Sequence, residues 1–317
     1  MEFLNSRKDK PSHVVRVLLP FGVYPKETVS TDDSILFISD EICFSIVPYS
    51  EDEVDNEIYY SEVEWAFFNE IKLYSSVLLC VDRDINYLRI YPFRYPHYIK
   101  LNGLKEVVEN IESIKSLLEK TIKSKGKWIK EHNFRAGNIY QYSKENFLPP
   151  ISGGPEYDLR ANAIRPELQK LLYSKFDTSD HLMLRGVSTL IRSAMLSAHL
   201  HFMEEAINTT FISLEASFRI VLKRLEKNGK KCPSSRDAAQ YIADVFYLKV
   251  TGKYFEEYYE SRIMSYHPES RFGIFPHAPL MVDDHYHLFD DLLELYCFLI
   301  CGYVDPKHKE RYEKYVT

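Results

Sequence analysis

Cysteine is scarce in this chain and never paired. Five cysteines are spread over 317 residues, at positions 43, 80, 232, 297 and 301, and no two form a CxxC. That excludes the cysteine-pair zinc and thioredoxin-type motifs. The odd, scattered set reads as reduced thiols of an intracellular protein. A long apolar run is also missing. The longest, "LLELYCFLICGYV" at 292–304, falls short of the roughly 20 residues of a membrane span and reads as a core helix. The first residues, "MEFLNSRKDK", lack the apolar stretch of a signal peptide, so the expectation is a cytoplasmic protein with no membrane contact. There is no GxxxxGK[ST], no GxGxxG, no HExxH and no serine in a GxSxG elbow. "GGP" at 153–155 lacks the strand–turn–helix setting of a phosphate loop. Finally, there is no surplus of positive charge. Lys and Arg total 40 against 46 Asp and Glu, a formal net charge of −6. A protein that holds nucleic acid by bulk electrostatics is excluded, and any such contact must be local.

What is present is the composition of an ordinary globular chain, 45% hydrophobic and 27% charged, long enough for two domains. The two halves differ in texture. "HVVRVLLPFGVY", "SILFIS", "ICFSIVPY", "SSVLLCVD" and "NYLRIYPF" are β-branched and aromatic runs bounded by Asp, Ser and Pro, and they predict strands. "SEVEWAFFNEIKLY" fits strand or helix. From Leu104 the period changes: Val107, Val108, Ile111, Ile114, Leu117, Leu118 and Ile122 recur at three and four residues, a helical stripe starting near Asn102 or Gly103 and ending by Gly126.

Residues 144–166 hold four prolines and two adjacent glycines and predict a linker. Beyond it the pattern is helical. The stretch from His181 to Lys231 holds two helices, or one interrupted near Asn208–Thr210, with Gly229 as a stop. A serine-capped helix follows in "SSRDAAQYIADVFYLKV", then one in "DDHYHLFDDLLELYCFLICGY", then "PKHKERYEKYV" with proline in its first turn. The expected architecture is an α+β domain at 1–143, a linker at 144–166 and an all-α domain at 167–317. The role expected of the first domain is sensing a trigger or binding RNA or a partner.

Three stretches carry chemistry. The first is "EEYYESRIMSYHPESRFG", where four residues separate Arg262 from His267. Spacing alone says little: sixteen arginines, eleven histidines and three allowed gaps give roughly two chance R-x(4–6)-H pairs, and the chain has four. Arg7–His13 lies at a charged terminus expected to be mobile. Arg192–His199 lies within an expected helix, two turns apart. Arg271–His277 lies in a Gly/Pro loop. Arg262–His267 alone falls at the end of a helical run, directly before a proline. An arginine capping helix carbonyls beside a satisfied histidine is the structural alternative. The second stretch, "DDHYHLFDD", gathers aspartates with His285 and His287, which at i,i+2 point to different faces of a helix. A solvated helix start fits better than a metal site, and His199 and His201 have the same spacing. The third, "NYLRIYPFRYPHYIK", interleaves Tyr91 and other aromatics with Arg89 and Arg94. Such a surface can stack bases and pair phosphates, though a strand with one buried face has the same alternation. Lys123 and Lys127, in the basic end of the first long helix, are a further RNA-binding candidate.

The part from about 170 to 317 resembles the HEPN family of helical domains, in particular its Apea-like branch. "TTFISLEASFRIVLKRLEK" is similar to the family's second core helix with its Leu-Glu pair, here Leu214 and Glu215, and "YYESRIMSYH" is similar to the family's R-x(4–6)-H motif. The resemblance implies an up-down helical bundle, a homodimer formed through it, and a metal-independent endoribonuclease needing no cofactor. Arg262 and His267 would be catalytic and Glu215 supporting. RNA would be the substrate, with a regulatory protein as a further partner, and the biological setting would be a toxin or antiviral defence effector. The alternative is a non-catalytic HEPN-like dimerisation or partner-binding module. Ile263, where many active members carry a small polar residue, fits that alternative.

Overall fold

The computed structural model describes residues 2–4, 10–20, 27–38, 43–49, 67–81, 90–92, 96–109, 111–116, 118, 164–197, 202–248, 255–256 and 282–316. The chain divides into two compact units, residues 1–73 with 84–163, and residues 74–83 with 164–317. The first is α+β and the second mostly helical.

The first unit is built on an antiparallel sheet of β1 (Glu2–Leu4), β2 (His13–Pro20), β3 (Glu27–Ser30), β4 (Ile35–Ile38), β5 (Cys43–Pro48), β6 (Ile90–Pro92) and β7 (His97–Lys100). Their order is β1-β7-β2-β5-β4-β3, with β6 also paired to β2. The register puts Val15 opposite Ile46 and Val17 opposite Phe44, and on the next strand Ile35 opposite Ile46 and Phe37 opposite Phe44. These side chains form one face of the sheet. They pack with Val107 of α2 (Lys105–Glu109) and with Ile114 and Leu118 just beyond it. Of the stripe read from the sequence, Leu104, Val107, Ile111, Ile114 and Leu118 thus face the core.

The opposite face is buried as well, which is why β2, β4 and β5 read as near-continuous apolar runs rather than as alternating ones. Arg16 points that way, and only 2% of it is exposed. Its Nε donates to Glu70 Oε1 at 2.6 Å, on α1 (Phe68–Cys80). The other Glu70 oxygen accepts the Phe67 backbone N–H at 2.6 Å, capping the start of α1. The Arg16 guanidinium also lies over the Phe67 ring. A buried carboxylate is tolerated here because both its oxygens are used and its charge is matched.

Two expectations for this half are corrected. "SSVLLCVD" is not a strand: Ser75 to Cys80 are the last turns of α1. Every residue from Leu73 to Val81 is buried, so no polar face remains to reveal the helical period. His13 is not part of a mobile terminus: it opens β2 opposite Pro48 and Ile99.

The second unit takes in the end of α1, α3 (Pro166–Lys175), α4 (His181–Leu196), α5 (Met203–Lys227), α6 (Ser235–Val245), α7 (Val282–Cys301) and α8 (Pro306–Val316). α5 packs on α4, α6 and α7, and α7 also touches α3 and α4. Of the stretch expected as a linker, Ile164, Arg165 and Pro166 are described. Ile164 is buried and bridges Val81. The Arg165 guanidinium reaches the Cys80 carbonyl at 2.9 Å and the Tyr303 hydroxyl at 3.1 Å. Pro166 opens α3, where a missing N–H does no harm. The break between α4 and α5 falls after Leu196, not near Asn208–Thr210, which lie within α5. Thr209 and Thr210 satisfy their hydroxyls on carbonyls one turn back, Thr210 on Ala206 at 2.8 Å, so these β-branched residues do not stop the helix. Gly229 terminates α5 at φ +92°. Among the described residues no helix is long and apolar enough to cross a membrane.

Candidate functional site

Arg262 and His267 belong to 257–281, outside the described residues, as do Arg89, Arg94, Lys123 and Lys127. His199 and His201 lie outside them too, and so do Arg7 and the Arg271–His277 pair. The chain that leads into the motif is described. Phe255 is buried, its ring 4.8 Å from that of Phe218 on α5. Glu256 accepts a hydrogen bond from Ser235 Oγ at 3.0 Å, at the start of α6. That start is itself fixed by a reciprocal cap: Asp237 N–H donates to Ser234 Oγ, and Asp237 Oδ2 accepts from Ser234 N–H at 2.8 Å. Lys230 pairs with Asp237, and with the Ser234 hydrogen bonds it holds the Asp237 carboxyl well below the usual range. On the far side of the motif the described residues begin with α7.

Of the other sequence candidates, Glu215 lies exposed on α5, beside buried Leu214. Tyr91 lies in β6, opposite Leu19 of β2.

The "DDHYHLFDD" histidines separate as their spacing requires, with His287 exposed. His285 is not part of a solvated helix start. It is buried, stacks on Phe289 at 5.2 Å, and its Nε2 lies 2.7 Å from Ser193 Oγ on α4. Ser193 Oγ is also 2.6 Å from Thr210 Oγ1 and 2.9 Å from the Ala206 carbonyl, both on α5. Thr210 Oγ1 also meets the Ala206 carbonyl, so the Ser193 and Thr210 hydroxyl hydrogens are shared within one network. A Ser–His contact raises the question of nucleophilic catalysis, and burial answers it. Ser193 is 0% exposed, beyond the reach of a substrate. The cluster is a clasp joining α4, α5 and α7. Among the described residues no group of three His, Cys, Asp or Glu could hold a metal ion.

A second polar tie joins α7 to α5: the buried Tyr296 hydroxyl donates to the Ser213 carbonyl at 2.6 Å. Burial pushes this phenol above its ordinary pKa, so it remains a donor. These ties were absent from the sequence reading. Small hydroxyl residues inside apolar helices are their only trace in the sequence.

No family model, no curated protein and no solved structure matches the chain.

Proposed function

We propose that the chain is a metal-independent endoribonuclease of the HEPN type, acting as a toxin or antiviral effector. The observation that carries the reading is the place of the motif. Arg262 and His267 stand between α6 and α7 of a mostly helical unit, after a 25-residue helix, α5, that carries Leu214 and Glu215. Helix order and motif position follow the resemblance read from the sequence.

The residue types suit RNA cleavage by the neighbouring 2′-hydroxyl. His267 takes the 2′-hydroxyl proton, since imidazole titrates near neutrality. The freed oxygen attacks the phosphorus, and the bond to the 5′-oxygen breaks as that oxygen gains a proton. Arg262 offers a fork of donors to the phosphoryl oxygens as charge builds on them. The products are a 2′,3′-cyclic phosphate and a 5′-hydroxyl. Two copies joined through the helical domain would bring two such pairs to one cleft, giving an acidic protein a local basic groove. Glu215 would orient an arginine of the neighbouring helix.

The reading is tested in cells. Expression of the wild-type chain is expected to arrest growth, and Arg262→Ala and His267→Ala are expected to abolish the arrest while the purified variants keep the wild-type oligomeric state. Equal growth effects of all three chains would contradict it. They would favour a non-catalytic HEPN-like module, the reading that Ile263 supports.

A further inference from the structure

The chain is acidic overall, yet one hollow of its helical unit gathers cations. A cavity of about 260 Å³ opens where the end of α3, the start of α4 and the ends of α5 and α7 meet. Lys175 comes from the last turn of α3, and Lys223, Arg224 and Lys227 from the last turns of α5. Cations are favoured at helix C-termini, which accounts for each one singly. It does not account for three lysines left around one hollow. Lys175, Lys223 and Lys227 are exposed, and none makes a hydrogen bond or ion pair among the described residues.

Arg224 is differently placed. Its guanidinium bonds the Leu299 carbonyl of α7 and lies over the Phe298 ring at 5.4 Å, so it fixes the wall. The two carboxylates at the rim are held by their own turns. Asp177 Oδ1 accepts from Ser179 N–H and Oγ, and Asp180 Oδ1 accepts from Leu182 and Met183 N–H as the cap of α4. The floor is apolar, formed by Phe176, Met183 and Ile220, each nearly buried. An apolar floor beneath a lysine rim suits a ligand with a flat unsaturated body and phosphate charge at its edge.

We infer that this pocket binds one nucleotide unit of an RNA strand, its base against the floor and its flanking phosphates on Lys175, Lys223 and Lys227. The choice of RNA as the polyanion rests on the function proposed above. The pocket would be a strand-holding site apart from the Arg262–His267 motif.

The test uses the full-length His267→Ala chain, a labelled twelve-nucleotide oligouridine, and anisotropy titrations at several salt concentrations. Lys175→Gln/Lys223→Gln/Lys227→Gln is expected to weaken binding at least tenfold. It should also lower the slope of log affinity against log salt by about two, the value for three lost contacts to a single strand. The double variant Lys175→Gln/Lys223→Gln, which disturbs the fold less, is expected to give a smaller change in the same direction. Unchanged affinity and slope, or no binding by the parent chain, overturns the inference. Displacement of the oligonucleotide by equimolar uridine monophosphate also overturns it, assigning the pocket to a free nucleotide. The two readings fail separately. Cleavage by wild type with no effect of the lysines removes this site and leaves the nuclease. Lysine-dependent binding without cleavage by wild type removes the nuclease and leaves the site.

Discussion

Ser193 is the residue on which three helices depend. Its hydroxyl meets the Ala206 carbonyl, Thr210 and His285 with no exposed surface. Ser193→Ala leaves His285 Nε2 without this partner in a buried site, a loss of about 1–3 kcal/mol. Urea unfolding followed by circular dichroism is expected to show that loss with an unchanged m-value. A variant as stable as wild type would show that the clasp contributes nothing. His13, at the start of β2, sets a pH dependence. Its burial outweighs the opposing pull of Asp33 and holds its pKa below 6.5. The folded chain therefore takes up this proton less readily than the unfolded chain. The corresponding stability is fully present above the unfolded pKa and is lost as pH falls through 6.5 toward the lower folded value. Denaturation midpoints are expected to decline between pH 7 and pH 5, and His13→Gln is expected to flatten that decline. An identical slope in both chains would refute the assignment.

At the scale of elements, close approach of α4 and α7 requires a glycine. A Cβ on Gly186 would collide with the hydroxyl and ring of Tyr296, whose position is fixed by its bond to the Ser213 carbonyl. Gly186→Ala is expected to destabilise the chain by about 1–3 kcal/mol despite alanine's better helix propensity. Adding Tyr296→Phe, which removes the nearest clashing atom, should recover part of it. Additive losses in the double variant would contradict the collision. The same elements show what a sequence can disclose. The helical stripe from Leu104, the serine cap of α6, the stop at Gly229 and the proline start of α8 were legible, because each depends on near neighbours. The last turns of α1 were not, because they are buried on all sides and carry no period of 3.6. The α4–α5 break was misplaced because Thr209 and Thr210 bond their own helix. The lysine pocket was illegible for a different reason: residue 175 meets residues 223 and 227 only through tertiary packing.

Taken whole, the molecule joins an α+β unit to a mostly helical one, with formal charge −6. Under the proposed function, RNA would have to be met at local cationic sites rather than by the overall field. The motif at Arg262–His267 would perform the chemistry, and the lysine-rimmed pocket would hold the strand. The sequence singles out this pair only by its place at the end of a helical run directly before a proline and by the resemblance, since R-x(4–6)-H pairs arise by chance. The most direct measurement is incubation of mixed RNA, in EDTA, with purified wild type and with His267→Ala, followed by analysis of the product ends. The proposed function predicts cleavage by wild type alone, leaving 2′,3′-cyclic phosphates and 5′-hydroxyls. Cleavage by both chains, or products ending in a 3′-hydroxyl, would contradict it.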